Sequence, residues 1–125
     1  MKTQKIIKAS SPDFNRKALE RGGFDILFAP EEVKLPHSHK KPGICLDYIS
    51  LKSAKKHNIA IAFNLENLKS LKKEEKAIIC SRIKNIIKLC RKEKVKLAIK
   101  GNFKALLQEL GASSTQLAEK NILVF

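Results

Sequence analysis

Two histidines at alternating positions, His37 and His39 around Ser38, have the spacing that can turn two imidazoles toward one divalent metal. Such a site needs further imidazole or carboxylate ligands, and here Lys40 and Lys41 follow at once and oppose a cation. His57 is the third imidazole of the chain and falls at an expected helix C-terminus. The pair therefore reads as part of a basic, partly ordered loop. Asp25 and Glu66 stand near strand starts or ends, where a carboxylate can act as general acid or base. The sequence places no second carboxylate beside either, so capping or solvated roles are expected. No Gly-x-Gly-x-x-Gly, Gly-Lys-Ser/Thr or Gly-x-Ser-x-Gly occurs, so nucleotide-binding and serine-hydrolase chemistry lack their usual signals. Cys45, Cys80 and Cys90 form an odd set without a Cys-x-x-Cys pair, which suits reduced, inert core thiols better than a disulfide framework.

Cations carry the stronger pattern. The chain has 26 Lys or Arg and 12 Asp or Glu, a formal net charge of +14, and residues 69–104 alone carry +10 of it. The acids of that stretch are Glu74, Glu75 and Glu93, placed at the two ends of an expected helix over 71–93. Wound at about 100° per residue, this helix puts Ile79, Ile83, Ile86 and Cys90 on one side and gathers Lys73, Lys84, Lys88 and Arg91 within about 60° on the other. Too few acids lie at i,i+4 to neutralise that ridge, and unpaired like charges repel one another unless a polyanion is present. A membrane surface fits less well than nucleic acid, because no exposed Trp or Phe accompanies the ridge. Lys92 and Lys94, with the loop pair Lys40 and Lys41, are the expected flanking contacts. Phe103 and Tyr48 are the aromatics placed to stack on bases, whereas Phe14, Phe24, Phe28, Phe63 and Phe125 read as core. Recognition by phosphate contact and shape is expected over base reading.

These side chains must be held by an alternation of strands and helices. Apolar, β-branched or aromatic runs at 24–29, 59–63 and 95–99 read as buried strands, with weaker candidates at 4–9 and 122–125. Ser11-Pro12-Asp13 opens a helix that Arg21-Gly22-Gly23 closes. Further helices are expected over 46–57, 71–93, 103–110 and 114–120, with Asp47 in the first turn of the second. Between them lies one long irregular segment, 30–43. Strands alternating with helices imply an α/β fold with a parallel sheet of about four to five strands, in one domain spanning residues 1–125. A complete eight-stranded barrel typically needs about 200–250 residues, so any barrel here is incomplete. No apolar run approaches the roughly 18–20 residues of a membrane span, and the opening residues lack a signal peptide's apolar stretch, so a cytoplasmic protein is expected.

Several segments, in order, resemble one family. Phe24-Asp25-Ile26-Leu27-Phe28-Ala29-Pro30-Glu31 is similar to the strand and turn before the long loop of ribonuclease P protein component 3, the archaeal relative of the thirty-kilodalton eukaryotic ribonuclease P subunit. Pro42-Gly43-Ile44, Asp47, Lys55-Lys56-His57-Asn58 and Ile59-Ala60-Ile61-Ala62-Phe63-Asn64-Leu65 resemble that family's central helix-strand unit. Ser81-Arg82-Ile83-Lys84-Asn85-Ile86-Ile87-Lys88-Leu89-Cys90-Arg91-Lys92-Glu93-Lys94-Val95 resembles its long helix and following strand. The resemblance spans residues 4–112. It departs at Lys100-Gly101-Asn102, where the family has a Ser-rich turn and a longer loop, and at Cys45-Leu46, which reads as an insertion.

The resemblance implies a shortened, incomplete TIM-barrel-like fold related to the amidohydrolase barrels. It also implies a basic ribonucleoprotein subunit that supports removal of 5′ leaders from precursor tRNA. The chemistry in such a complex belongs to the RNA and its bound Mg²⁺, so no catalytic residue, metal or cofactor is expected on the chain itself. Implied partners are ribonuclease P RNA, precursor tRNA and component 2, a small RRM-like protein, in a two-plus-two assembly. Two alternatives remain: a small metal-dependent hydrolase of the amidohydrolase-like class using His37 and His39, and a general binder of structured RNA. An incomplete barrel leaves open sheet edges, so a partner or a second copy is expected to cover at least one.

Overall fold

The computed structural model describes residues 4–32, 46–99, 104–118 and 122–124. Its elements are β1 (Ile6–Lys8), α1 (Pro12–Arg21), β2 (Ile26–Phe28), a 3-10 turn (Pro30–Glu32), α2 (Tyr48–Lys56), β3 (Ala60–Ala62), α3 (Leu65–Ser70), α4 (Lys73–Glu93), β4 (Leu97–Ile99), α5 (Lys104–Glu109), α6 (Ser114–Leu117) and β5 (Ile122–Val124). The five strands form one sheet in the order β1-β2-β3-β4-β5, and every pairing is parallel. Right-handed crossovers in sequential order place all helices on the same face of such a sheet. The core agrees, because Leu19 of α1, Leu51 of α2, Ile83 and Ile86 of α4 and Leu107 of α5 share one cluster with Leu27, Ile61 and Leu97 of the strands. Each of these fully buried aliphatic side chains contributes about 1.5–3 kcal/mol. The opposite face is a small separate cluster of Ile26, Ala60, Ala62 and Ala98, with Phe28 and Leu123 against it. Alanine at the central strands suits the crowded concave side of a barrel-like sheet. The architecture is the expected α/β fold, an incomplete barrel with five strands. Among the described residues, β1 and β5 are its two edges.

Local chemistry sets the boundaries. The Ser11 hydroxyl accepts the Phe14 amide, Pro12 opens α1, and Gly22 ends it at φ 70°. A Cβ on Gly22 would lie 2.8 Å from the His57 ring, so both the backbone angle and the space require glycine. That ring is held by its Nε2, 3.0 Å from the Glu20 carbonyl oxygen, which ties α1 to the end of α2.

Four expectations need correction. Asp47 is the N-cap of α2, its carboxylate accepting the Ser50 amide at 2.7 Å, and not a first-turn residue. The long helix does not begin at Leu71: Asn64 caps a separate α3 by accepting the Asn67 amide, and Leu71 is extended at ψ 148°, so α4 starts at Lys73. Phe14 is 41% exposed and outside the core. The buried stripe of α1 is Asn15, Ala18 and Leu19, and Phe14 precedes Asn15 by one residue, about 100° around the helix. Finally, Pro30–Glu32 is an ordered 3-10 turn at the start of the segment expected to be irregular; residues 33–45 lie outside the described residues.

Candidate nucleic-acid interface

The candidate interface is built on α4. Its 21 residues span about 30 Å, and Ile83, Ile86, Ile87 and Cys90 lock one side into the core. Lys73, Lys84, Lys88, Arg91 and Lys92 are all exposed on the remaining surface, as is Lys94 beyond the helix end. None of the six is in an ion pair among the described residues, unlike Lys8, which meets Glu32, and Arg16, which meets Asp13. Lys84 with Lys88, and Lys88 with Lys92, stand at i,i+4, where like charges destabilise a helix by about 0.2–0.5 kcal/mol per pair. The helix tolerates that repulsion because its buried face holds it.

The ridge is not continuous. Lys84, Lys88 and Arg91 fall within two turns, whereas Lys73 sits about 16 Å further along the axis, in a first turn whose flanking residues 72–78 are all exposed. At the other end Arg91 and Lys94 converge with Lys55 of α2 and with Lys96, two cations outside the expected ridge. Sequence spacing along one helix could not join them, since α2 and the start of β4 meet there only through the crossover topology. Lys40 and Lys41, with His37, His39, Cys45 and Phe103, lie outside the described residues. Tyr48 is exposed as expected, at 52%, with the Lys52 ammonium 5.3 Å from its ring centre.

The candidate acids do not form a catalytic pair. Asp25 accepts the Lys5 amide at 2.8 Å where β1 and β2 begin, and Glu66 is an exposed residue in the first turn of α3. Among the described residues no three His, Cys, Asp or Glu side chains stand close enough to share a metal ion. Cys90 is buried, which pushes its thiol up to about 12 and makes it inert.

A polar cluster absent from the sequence reading occupies the C-terminal edge of the sheet, the end at which parallel α/β sheets carry their sites. Ala29 leaves β2 at φ 61°, a left-handed angle costly for a residue before proline, and turns Glu31 and Glu32 back over the strand ends. Glu32 accepts from Asn67 Nδ2 at 2.6 Å and lies 3.5 Å from Lys8 Nζ. Glu31 is fully buried. Its Oε2 accepts the Asn64 amide at 2.9 Å, its backbone carbonyl accepts from Arg82 Nη1 at 3.0 Å, and its Oε1 has no partner among the described residues. Burial, reinforced by the neighbouring Glu32 charge, pushes its carboxyl from 4.5 up to about 7, against the opposing effects of the Asn64 amide and Lys8. The one available signal was positional: Glu31-Glu32 and Asn64 each follow the end of a strand, and adjacent parallel strands bring such positions together.

Among the described residues no helix is long and apolar enough to cross a membrane. No family model and no curated protein matches the sequence. Among solved structures, the chain is similar to one in the cryo-EM structure of archaeal ribonuclease P with mature tRNA. The identity is 26%, the TM-score is 0.68, and the match covers 94% of this chain. It covers 52% of the other, so this chain spans about half the length of its neighbour. That likeness relates the chain, in fold and over nearly all of its sequence, to a component of a ribonuclease P complex.

Proposed function

We propose that this chain is a protein subunit of ribonuclease P, of the component 3 type, that binds the catalytic RNA through the basic surface of α4 and supports removal of 5′ leaders from precursor tRNA. The observation that carries the reading is the likeness over 94% of the chain to a chain of archaeal ribonuclease P. The exposed cations of α4, unpaired among the described residues, supply a physical mechanism. An RNA active site must bring substrate phosphates against its own phosphates, and fixed cations offset that repulsion and lower the Mg²⁺ needed. In this reading the RNA and its Mg²⁺ perform the hydrolysis, and the chain positions and neutralises. Component 2, the RRM-like partner, covers an open sheet edge in a two-plus-two assembly.

The test is reconstitution of cognate ribonuclease P RNA with component 2, with and without this chain, at limiting Mg²⁺. Precursor cleavage is expected to rise when the chain is added. Binding to structured RNA without any gain in cleavage would replace the proposal with a general RNA-binding role.

A further inference from the structure

A cleft of about 420 Å³ opens at the N-terminal edge of the sheet, between the last turns of α2 and α4, the start of β4 and the start of α6. Among the described residues four cations line it: Lys55, Arg91, Lys94 and Lys96. Among the described residues no carboxylate lines it and none of the four is in an ion pair. Its floor is apolar, made by Cys90, Val95 and Leu97. Low-dielectric walls carrying charge of one sign focus the field into the space between them. Helix dipoles account for Lys55 and Arg91, which stand in last turns where a cation is favourable. They do not account for Lys96, which precedes β4, nor for the conformation of Lys94.

Lys94 is the residue that stops α4, and it does so at φ 58°, ψ 38°, the left-handed region in which helices commonly end on glycine. Gly22 and Gly111 take their positive φ with glycine, and Asn58, just past α2, takes φ 55° with asparagine, a residue that tolerates the left-handed region better than lysine does. A lysine at this stop strains the backbone and delivers a charged side chain to the cleft. From the convergence of the four cations and the strained lysine we infer that the cleft is a seat for a phosphodiester group of an RNA backbone. The volume accommodates a nucleotide-sized group together with water. The inference rests on the proposed function only for the identity of the polymer, since the recognised chemistry is that of a phosphate.

Lys94→Gly separates the charge from the fold, because glycine relieves the backbone while removing the ammonium. The variant is expected to melt about 4 °C higher than the native chain. Its affinity for a short oligouridylate is expected to be weaker, with the log–log salt slope reduced by about one. In a titration followed by backbone amide NMR, both inorganic phosphate and the oligouridylate are expected to shift the amides of Lys94, Lys96 and Ser113, the oligouridylate at lower concentration. Lys94→Gly and Lys96→Ala together should abolish those shifts. Shifts with inorganic phosphate alone would overturn the assignment to an RNA backbone. Shifts confined to the outer residues of α4 would overturn the cleft while leaving the ribonuclease P reading intact. Failure of the reconstitution with the cleft shifts retained would overturn that reading and leave the phosphate seat.

Discussion

The two ends of the sheet are built on opposite principles. At the C-terminal edge, Glu32 is held by Asn67 and faces Lys8, Glu31 accepts the Asn64 amide, and Arg82 reaches the Glu31 carbonyl. At the N-terminal edge, Lys55, Arg91, Lys94 and Lys96 share a cleft that no carboxylate lines among the described residues. Polar groups that satisfy one another act on stability, because their removal strands buried partners. Cations that repel one another contribute nothing of the kind and become favourable only when an anion arrives. Apart from Glu31 Oε1, the end at which α/β sheets usually perform chemistry is thus engaged with itself among the described residues, and the end usually left to stability holds the unspent charge. Substitutions at the first should lower stability or change its pH dependence and spare RNA binding; substitutions at the second should weaken RNA binding with no loss of stability.

The largest effect is expected at Glu31. Below pH 4.5 its carboxyl is protonated in both the folded and unfolded chain, and above about pH 7 it is ionised in both. Between these values the folded state holds a proton that the unfolded state has lost, so stability falls as pH rises through the window, by at most about 3 kcal/mol. Glu31→Gln keeps an oxygen for the Asn64 amide and cannot ionise. Urea unfolding at pH 5 and pH 8 should therefore show the variant losing less stability than the native chain between the two, with affinity for RNA unaltered. Equal losses would show that the carboxylate is relieved by contacts other than those described.

That site also marks where sequence reading stops. The first helix was legible from end to end because its signals are local: Ser11 and Pro12 at one end and Gly22 at the other act within a turn of the backbone they control. The five strands were legible as apolar runs, though each is three residues long and shorter than the run that announced it. The six-residue α3 was not legible because the cap that starts it is a single asparagine directly after an expected strand, and the expected start of the long helix at Leu71 lay two residues early. Glu31 and Asn64 lie 33 residues apart and meet only through the β2–β3 pairing. The basic ridge sits on one helix and was readable by periodicity. The cleft needed the ends of two helices and a strand, and no period in the sequence joins them.

Along the basic face of α4 that leads to the cleft, Lys84, Lys88 and Arg91 changed together to Ala should flatten the salt dependence of RNA binding by about two to three units of log–log slope. Over a fourfold change in salt, that removes about 16- to 64-fold of the native chain's response. The melting temperature should hold or rise slightly, since the two i,i+4 repulsions of this stretch disappear. An unaltered slope would take all three residues out of the interface, Arg91 of the cleft included, and leave Lys55, Lys94 and Lys96 as the cations to test.

The smallest effect makes the sharpest division between the ends. Asn64 caps α3 through the Asn67 amide at 3.2 Å and reaches Glu32 at 3.4 Å through its own side-chain nitrogen. Asn64→Ala removes both contacts while its backbone amide can still serve Glu31, so the expected cost is about 1 kcal/mol of stability. The substitution changes no charge and lies at the far end of the sheet from the cleft. The folded variant should therefore bind RNA with native affinity and native salt slope, measured at a temperature well below its melting transition. A loss of affinity larger than the loss of stability would show that the C-terminal edge also meets RNA. The contrast between a self-satisfied end and a charged one would then give way to a single surface running the length of α4.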